Sequence, residues 1–281
     1  MARLDQELLA RGLVRSRTQA AQLISEGAVS IDSVVARKAS QPISAEQTLS
    51  VQEGGANRYV SRAAHKLRGA LAEFPQIDPN GKRCLDAGAS TGGFTQVLLE
   101  SGATEVVAVD VGHDQLVSEI RDDPRVRVFE GLNVRDLDAA DIGGPAALTV
   151  ADLSFISLTL VVGPLAQATL AGGDLLLMVK PQFEVGRERL AKTGVVSSDH
   201  ERRRAVASVA TSALKAGLEL RGLATSPLAG QDGNIEYFLW LSRDALPSQS
   251  KLEDVRLVEA VASLLEQLWP SNRPIGAEES G

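Results

Sequence analysis

The stretch LDAGASTGGF, residues 85–94, joins an apolar run to a helical pattern and decides the fold. Gly88, Gly92 and Gly93 stand between the two, where glycine lets the backbone turn sharply and lets a ligand approach its N–H groups. Asp86, near the end of the apolar run, is placed to accept a hydrogen bond from that ligand. The stretch therefore predicts the first strand-to-helix turn of a nucleotide-binding α/β domain, although any tight turn of an α/β protein can have a similar pattern.

The next apolar run, EVVAVD from Glu105, ends in Asp110. A carboxylate about 20 residues beyond a glycine turn suits the two hydroxyls of a ribose. A dinucleotide fingerprint is G-x-G-x-x-G, whereas Ala89 and Ser90 follow Gly88 here, so the glycine that admits a pyrophosphate is missing. The pattern favours S-adenosylmethionine, which has no phosphate, over NAD. The predicted cofactor contacts are Asp86, Gly88, Ala89, Ser90, Thr91, Gly92, Gly93, Phe94 and Asp110.

Composition limits the class of protein. The chain has 281 residues, 44% of them hydrophobic, which is enough for one large domain or two of ordinary size. A single cysteine, Cys84, excludes a disulfide framework, and the charged N-terminus shows no secretory signal, so a cytoplasmic location is expected. The apolar stretch 156–179 imitates a membrane span, but Pro164 and the segment 172–174 interrupt it, so no membrane span is expected.

Residues 3–50 are predicted to form a unit of their own. Leucines at helical spacing precede Gly12, a second helix is expected over residues 17–26, and strands follow at AVSID and TLSVQE. Residues 1–68 carry a net charge of +4 and the remainder carries −11. Positive charge is therefore concentrated at this end of a chain that is acidic as a whole.

The stretch RLDQELLARGLVRSRTQAAQLISEGAVSID, residues 3–32, resembles the S4-type RNA-binding domain, whose pattern is R-L-D, then S-R-x-x-A, then a glycine and a strand. Ser33 departs from the glycine that is common in the turn of that family. Cations on such a surface neutralise phosphates rather than read bases. The resemblance implies that RNA is bound by Arg3, Arg15, Ser16, Arg17, Gln19, Arg37 and Lys38. Arg58 and Arg62, in a linker at residues 54–62, are further candidates for RNA contact, with packing between domains as the alternative.

From Lys82 onward, apolar runs alternate with helical patterns, which predicts a parallel sheet. Helices are predicted to bracket it at residues 63–74 and 253–269. The stretch IEYFLWLS from Ile235 is predicted as an antiparallel edge strand. The other predicted strands cover residues 84–87, 106–109, 126–129, 148–152, 175–179 and 219–226.

Ligands of such sheets bind outside the carboxyl ends of the strands, so the residues there are candidates for chemistry. Asp152 ends the fourth predicted strand, and Lys180 follows the fifth. Glu236 begins the antiparallel strand, whose direction brings its start to the same side of the sheet. Lys66 comes from the helix that precedes the sheet.

The segments DAGASTGGFT, VADLSFISL, VKPQFEVG and SPLAGQDGNIEYFLWL closely resemble the TlyA family of ribosomal RNA 2′-O-methyltransferases. The resemblance implies an α/β fold: a Rossmann-like class I methyltransferase sheet behind a small α+β S4-type domain. The implied domains are S4-type at 1–53, a linker at 54–62, an FtsJ-like methyltransferase at 63–269 and a disordered tail at 270–281. Lys66, Asp152, Lys180 and Glu236 would be the catalytic tetrad, S-adenosylmethionine the cofactor, and ribosomal RNA within ribosomal subunits the partner. Cytidine ribose is the implied acceptor, and a monomer is assumed.

The chemistry asks little of the enzyme beyond alignment of the ribose hydroxyl and removal of its proton. Lysine is a weak base at its reference pKa of about 10.4, so a second cation, Lys66 or the sulfonium, would have to lower the pKa of Lys180. Asp152, Glu236 and RNA phosphates act in the opposite direction. The sequence therefore leaves open whether Lys180 removes the proton or only orients the hydroxyl.

Three other functions remain open at this point. Proteins resembling this family have been called haemolysins, so a membrane-active toxin is one alternative; a catalytically silent RNA-binding module and an NAD enzyme are the others. His65, His113 and His200 lack ligand spacing, so no metal site is expected. The loop QFEVGRERLAKTGVVSS after Lys180 is predicted either as a lid over the substrate or as a solvated connection.

Overall fold

The computed structural model describes residues 2–14, 16–25, 28–51, 58–191, 193–230, 232–243 and 254–269. The chain divides into two compact units, residues 1–62 and 63–281. Three predictions fall outside the described residues: Arg15, the first part of the linker at 54–57, and the tail at 270–281.

The first unit combines short helices with short antiparallel strands. Its elements are β1 (Ala2–Arg3), α1 (Leu4–Ala10), α2 (Arg17–Ser25), β2 (Val29–Ile31), β3 (Val34–Val35), β4 (Pro42–Ile43) and β5 (Leu49–Val51). Strand β2 lies between β3 and β5, while β1 pairs with β4. Leu4, Leu8, Leu23 and Val29 are buried together in one apolar core, which explains the spacing of the leucines in the sequence. This is the small α+β unit that was predicted.

The second unit is a seven-stranded sheet with helices along the chain between its strands. Its strands are β6 (Arg83–Ala87), β7 (Glu105–Asp110), β8 (Val126–Glu130), β9 (Ala146–Ala151), β10 (Thr169–Val179), β11 (Leu218–Thr225) and β12 (Tyr237–Arg243). Its helices are α3 (Ala63–Glu73), α4 (Gly93–Glu100), α5 (Ser118–Arg121), α6 (Val162–Gln167), α7 (Pro181–Glu184), α8 (Asp199–Lys215) and α9 (Asp254–Leu268).

The strand order is β11-β12-β10-β9-β6-β7-β8, and every neighbouring pair is parallel except the two that involve β12. The prediction that the last strand lies at an edge is wrong, because β12 is inserted between β10 and β11. Tyr237, Phe238, Leu239 and Leu241 are all buried, so this strand has apolar side chains on both faces and suits the interior of a sheet. The edge strand β11 has exposed side chains at Glu219 and Arg221.

Helices cover both faces of the sheet. On one face, α6, α8 and α9 share an apolar core with alternate residues of the strands, such as Leu85, Leu177 and Leu239. On the other face, α3 packs against α4, and the Phe94 ring stacks on Phe238 with centroids 6.3 Å apart. This three-layer arrangement is the Rossmann-like fold expected from the sequence. It leaves the carboxyl ends of the parallel strands available for a site.

Candidate active site

The glycine turn follows β6 directly and runs close to the end of β9. Gly88 has a φ of 87° and Gly92 a φ of 101°, values that side chains disfavour. A Cβ on Gly88 would lie 2.8 Å from the carbonyl oxygen of Asp152. Glycine is therefore required at residue 88, both for the backbone conformation and for the close approach to β9.

Asp110 is fixed at the end of β7 by backbone amides. Its Oδ2 accepts a hydrogen bond from the Ser90 N–H at 2.8 Å, and its Oδ1 accepts one from the Gly112 N–H at 2.7 Å. Each carboxylate oxygen has a second lone pair, so the group can still accept a bond from a ligand hydroxyl. The turn and the carboxylate predicted from their spacing are thus joined directly.

A cavity of about 720 Å³ opens beside this turn. Of the predicted cofactor and catalytic residues, Gly88, Ser90, Asp110 and Asp152 line it. Its other walls come from the segments after β7, β8 and β9: Val111, Gln115, Asn133, Val134, Arg135, Leu153, Ser154, Phe155, Ile156, Ser157 and Leu160. The volume falls in the range of about 300–1,000 Å³ that is usual for small-molecule sites.

The other predicted cofactor residues do not line this cavity. Ala89, Thr91, Gly92 and Gly93 form the rest of the turn and the start of α4, and Phe94 is buried against Phe238. Their contacts with a cofactor remain predictions.

Asp86 is fully buried below the turn. Its Oδ2 accepts a hydrogen bond from the Thr95 hydroxyl at 2.6 Å, whereas its Oδ1 has no hydrogen-bond partner among the residues described. Loss of solvation, together with the nearby negative charge of Asp152, raises the pKa of this carboxyl to about 7. Asp86 is therefore a buried acid rather than an exposed acceptor at the rim of the cavity.

The predicted catalytic tetrad is assembled at the strand ends as two ion pairs. Strand β10 pairs with β12 so that Val179 lies opposite Tyr237. Lys180 follows Val179 and Glu236 precedes Tyr237, so both residues lie at the same end of this strand pair. The Asp152 N–H donates to the carbonyl oxygen of Ala87 at 3.2 Å, so Asp152 directly adjoins the glycine turn.

The first pair, Lys66 with Glu236, is enclosed. The Lys66 Nζ lies 2.5 Å from the Glu236 Oε2, and the side chains are only 11% and 3% exposed. The Gln182 amide donates to the other oxygen of Glu236 at 3.2 Å. A Cβ on Gly230 would lie 2.6 Å from that same oxygen, so the loop before β12 closes over the carboxylate.

The second pair, Lys180 with Asp152, adjoins the cavity. The Lys180 Nζ lies 2.7 Å from the Asp152 Oδ1 and donates to the Ser154 hydroxyl at 2.8 Å. Asp152 and Ser154 line the cavity, whereas Lys180, whose side chain is 10% exposed, lies behind them and is joined to the cavity wall through these two contacts.

Several residues beside this pair escaped the sequence-based prediction. Phe155 is 92% exposed and has a φ of 63°, and its ring lies 5.3 Å from that of Phe183. Glu184 accepts hydrogen bonds from the segment that follows Phe155. The sequence KPQFE contains charged and aromatic residues that could have pointed to these contacts, but such residues also suit a solvated loop.

In the first unit, two of the predicted RNA contacts share one buried carboxylate. The Asp5 carboxylate accepts hydrogen bonds from Arg3 Nε and Arg17 Nη2, each at 2.9 Å. These hydrogen bonds lower the pKa of Asp5 to about 2. The two arginine side chains stay 47% and 54% exposed. Ser16, Arg37, Lys38, Arg58 and Arg62 are exposed as well, and the side chain of Gln19 lies outside the described part of the structure.

The described residues hold no group of three His, Cys, Asp or Glu side chains arranged to bind a metal ion. None of the helices within them is both long enough and apolar enough to cross a membrane.

The comparisons with known proteins agree with this architecture. Residues 59–243 match the FtsJ-like methyltransferase family, and residues 2–49 match the S4 domain. The 16S/23S rRNA (cytidine-2′-O)-methyltransferase TlyA of Mycobacterium tuberculosis is 49% identical over 90% of this chain and 95% of its own length. Hemolysin A of Brachyspira hyodysenteriae is 35% identical over 84% of this chain and 97% of its own length.

A solved structure, "Putative hemolysin from Streptococcus thermophilus", superposes with a TM-score of 0.69 and 34% identity. It covers 94% of this chain and is itself covered over 97% of its length. Both the sequence and the fold thus match the same group of proteins from end to end. The chain belongs to the TlyA family, in which an S4 domain precedes an FtsJ-like methyltransferase domain.

Proposed function

We propose that this protein transfers a methyl group from S-adenosylmethionine to the 2′-hydroxyl of a cytidine ribose in ribosomal RNA, in the small subunit, the large subunit or both. The observation that carries the proposal is the Lys180–Asp152 pair at the edge of the cavity beside the glycine turn. The relative from Mycobacterium tuberculosis, whose name states this activity, aligns over nearly the whole chain.

The cavity fits S-adenosylmethionine by its size and by its hydrogen-bonding groups. Asp110 lines the cavity and keeps lone pairs for the two hydroxyls of a ribose, at the sequence separation from the glycine turn that suits such a contact. Asp152 also lines the cavity, but its Oδ1 pairs with Lys180 at 2.7 Å, so Asp110 is the carboxylate that is available to the cofactor. When bound, the cofactor supplies a methyl group that its sulfonium has already activated.

The residues of the chain then have separate tasks. Lys180 directs its ammonium or amine at the ribose hydroxyl, with Asp152 and Ser154 holding it in place, and so aligns the oxygen and takes part in removal of its proton. Lys66 lies in α3, and Glu236 immediately precedes β12. Their enclosed ion pair holds α3 to the start of β12, beside β10. No step in this scheme needs a metal ion.

RNA is held by the exposed cations of the S4-type domain, residues 1–53, while the domain at residues 63–269 carries the cofactor cavity and the tetrad. Arg3, Arg17, Arg37 and Lys38 supply positive charge that phosphates require, and they read no base sequence. Recognition of the target nucleotide therefore depends on the methyltransferase domain and on the shape of the ribosomal RNA. A cytoplasmic protein acting as a monomer on ribosomal subunits is consistent with this scheme.

The direct test is methyl transfer from tritiated S-adenosylmethionine to purified small and large ribosomal subunits, with the modified nucleotide identified by mass spectrometry. We expect incorporation at a cytidine 2′-oxygen with wild type and, with Lys180→Ala, an initial rate that is lower by roughly 10²-fold or more. Incorporation at a base nitrogen or carbon, or no incorporation into either subunit, would disprove the proposal.

The haemolysin names among the relatives call for a second measurement on the same preparation. Leakage of dye from liposomes of phosphatidylcholine and phosphatidylserine should be absent, because the described helices include none able to span a bilayer. Strong leakage together with no methylation would favour the toxin instead. Protection against thermal unfolding by NAD but not by S-adenosylmethionine would favour a dehydrogenase.

A further inference from the structure

We propose that Glu184 is a positioning residue for methyl transfer. Its side chain holds the segment of residues 153–157 in place, and these residues form one wall of the cavity. The inference rests on the proposed function, because the wall is useful only if a cofactor and an acceptor occupy the cavity. We call this segment the wall segment; it is LSFIS and follows Asp152 directly. Each of its five residues lines the cavity.

Glu184 binds the far end of the wall segment with both carboxylate oxygens. Its Oε2 accepts a hydrogen bond from the Ser157 hydroxyl at 2.5 Å, and its Oε1 accepts one from the Leu158 N–H at 2.8 Å. The Ser157 hydroxyl oxygen lies 2.7 Å from the Thr159 Oγ1 and accepts from the Thr159 N–H at 3.2 Å. Glu184 therefore fixes the point at which the wall segment enters the short helical turn Leu158–Leu160.

The near end and the middle of the wall segment are held from the same five-residue stretch, 180–184. Lys180 contacts Asp152 and donates to Ser154, and the Phe183 ring lies 5.3 Å from the Phe155 ring. Lys180 immediately precedes α7 and Glu184 is its last residue, so one short helical turn carries the contacts to both ends of the wall segment. A displacement of the wall segment would therefore move Asp152 and Ser154 relative to Lys180.

The backbone of the wall segment needs such support. Phe155 has a φ of 63° although it carries a large side chain, and strained conformations of this kind persist only where surrounding contacts impose them. Its 92% exposed ring adds no burial that could stabilise the conformation. The contacts on either side, Lys180 to Ser154 and Glu184 to Ser157, supply the constraint.

Glu184 is half-buried, and two hydrogen bonds reach its carboxylate from the far end of the wall segment. Loss of solvation raises the pKa of this carboxyl, and the bonds from Ser157 and Leu158 oppose that rise only in part. Such bonds to a charged acceptor are short and strongly directional, as a positioning contact must be.

The test compares four variants of the full chain: Glu184→Ala, Glu184→Gln, Ser157→Ala and the double variant Glu184→Ala with Ser157→Ala. Each is measured for its single-turnover methylation rate on a ribosomal subunit at saturating cofactor and RNA, for cofactor affinity by calorimetry, and for its midpoint of thermal unfolding. Glu188→Ala is the matched control, because Glu188 is an exposed carboxylate of the following loop.

We expect Glu184→Ala to lower the single-turnover rate at least tenfold at a temperature where the variant is fully folded. Glu184→Gln should stay within about threefold of wild type, because its amide can still pair with both Leu158 N–H and the Ser157 hydroxyl. The double variant should be no slower than Glu184→Ala, since the two side chains act through one contact. Glu188→Ala should match wild type.

Three outcomes would overturn the inference. One is a Glu184→Ala enzyme that is less stable but equally fast once folded, which would make the residue merely structural. Another is additivity of the two single variants. If Glu184→Ala does not fold, Ser157→Ala removes one of the two hydrogen bonds in the same contact. A methylation rate of Ser157→Ala within twofold of wild type would then be the third contradicting outcome. Failure of wild type to methylate either subunit would instead refute the proposed function.

Discussion

The two ion pairs of the tetrad are alike in chemistry and different in surroundings. Lys66 and Glu236 are enclosed, and Gln182 takes up the second carboxylate oxygen. Lys180 is equally enclosed, but its partners Asp152 and Ser154 line the cavity. The comparison predicts that breaking the first pair acts mainly on stability, whereas breaking the second acts mainly on methylation.

Breaking the enclosed pair should have the largest effect. Lys66→Met leaves the Glu236 charge buried without its cation, and loss of one partner of a buried pair costs about 3–5 kcal/mol of unfolding free energy. Urea denaturation followed by circular dichroism measures the loss. The double variant Lys66→Met with Glu236→Gln should recover most of that stability without recovering methylation. A single variant that loses less than about 1 kcal/mol would show that the pair does not support the fold.

Breaking the pair at the cavity should act on the rate instead. Lys180→Ala should reduce single-turnover methylation by roughly 10²-fold or more, equivalent to about 2.7 kcal/mol, with cofactor affinity changed only a few-fold. Lys180→Arg should rescue poorly, because a guanidinium does not give up its proton and does not occupy the position of an ammonium. Methylation by Lys180→Ala within a few-fold of wild type would show that the tetrad is assigned wrongly.

The sequence predicted the parts of this site that depend on local pattern. The glycine turn, Asp110, Asp152 and Lys180 were candidates because each stands at the end of an apolar run, and parallel strands bring such ends together. The tetrad as a set came from the resemblance to the TlyA family. The pairing within the tetrad could not be found. Lys66 reaches Glu236, 170 positions away, because α3 packs on the face of the sheet opposite α8, and no local pattern encodes which face a helix covers.

Two further features depended on packing that only the fold reveals. The antiparallel strand β12 was predicted at the edge, as is typical of methyltransferases. Its apolar side chains on both faces instead suit its position between β10 and β11. Glu184 stands in a charged loop sequence, where a solvated side chain is the ordinary expectation. Its two hydrogen bonds come from a segment 26 and 27 positions earlier, so its role is invisible without the structure.

Asp86 is a third buried carboxyl of this region and lies near Asp152. It differs from Asp152 and Glu236 because the hydrogen bond to its Oδ2 comes from the Thr95 hydroxyl and not from a lysine. Its pKa, raised from 3.8 to about 7, means that the folded protein keeps a proton that the unfolded chain has lost. The contribution of Asp86 to stability is therefore full below about pH 4 and falls as the pH rises to about 7, by at most about 1.4 kcal/mol per pH unit.

Asp86→Asn should remove this dependence, since the amide does not titrate. We expect the variant to gain stability relative to wild type as the pH rises from 4 to 7, with the difference constant above that range. Urea denaturation at half-unit intervals measures it, and comparison with wild type cancels the titration of the other carboxyls. A difference that does not vary with pH would mean that Asp86 is ionised in the folded protein.

The smallest change in free energy is expected from the ion pairs of the first unit, whose arginines are in contact with solvent. They allow a comparison between an arginine that is available to RNA and one that serves the fold. Arg17 shares Asp5 with Arg3 and keeps 54% of its side chain exposed, whereas Arg11 is 26% exposed, pairs with Glu7 and donates to the carbonyl oxygen of Gln47.

Arg17→Ala should therefore weaken RNA binding, and the slope of log affinity against log salt should fall by about one, because one fewer counterion is released. Arg11→Ala should leave that slope unchanged and lower only the unfolding free energy, because its donors serve the fold. The measurement is RNA binding by fluorescence anisotropy across a salt series. Equal slopes for both variants and wild type would mean that the ion pair with Asp5 withdraws Arg17 from RNA, and the RNA-binding face of this unit would then have to lie elsewhere.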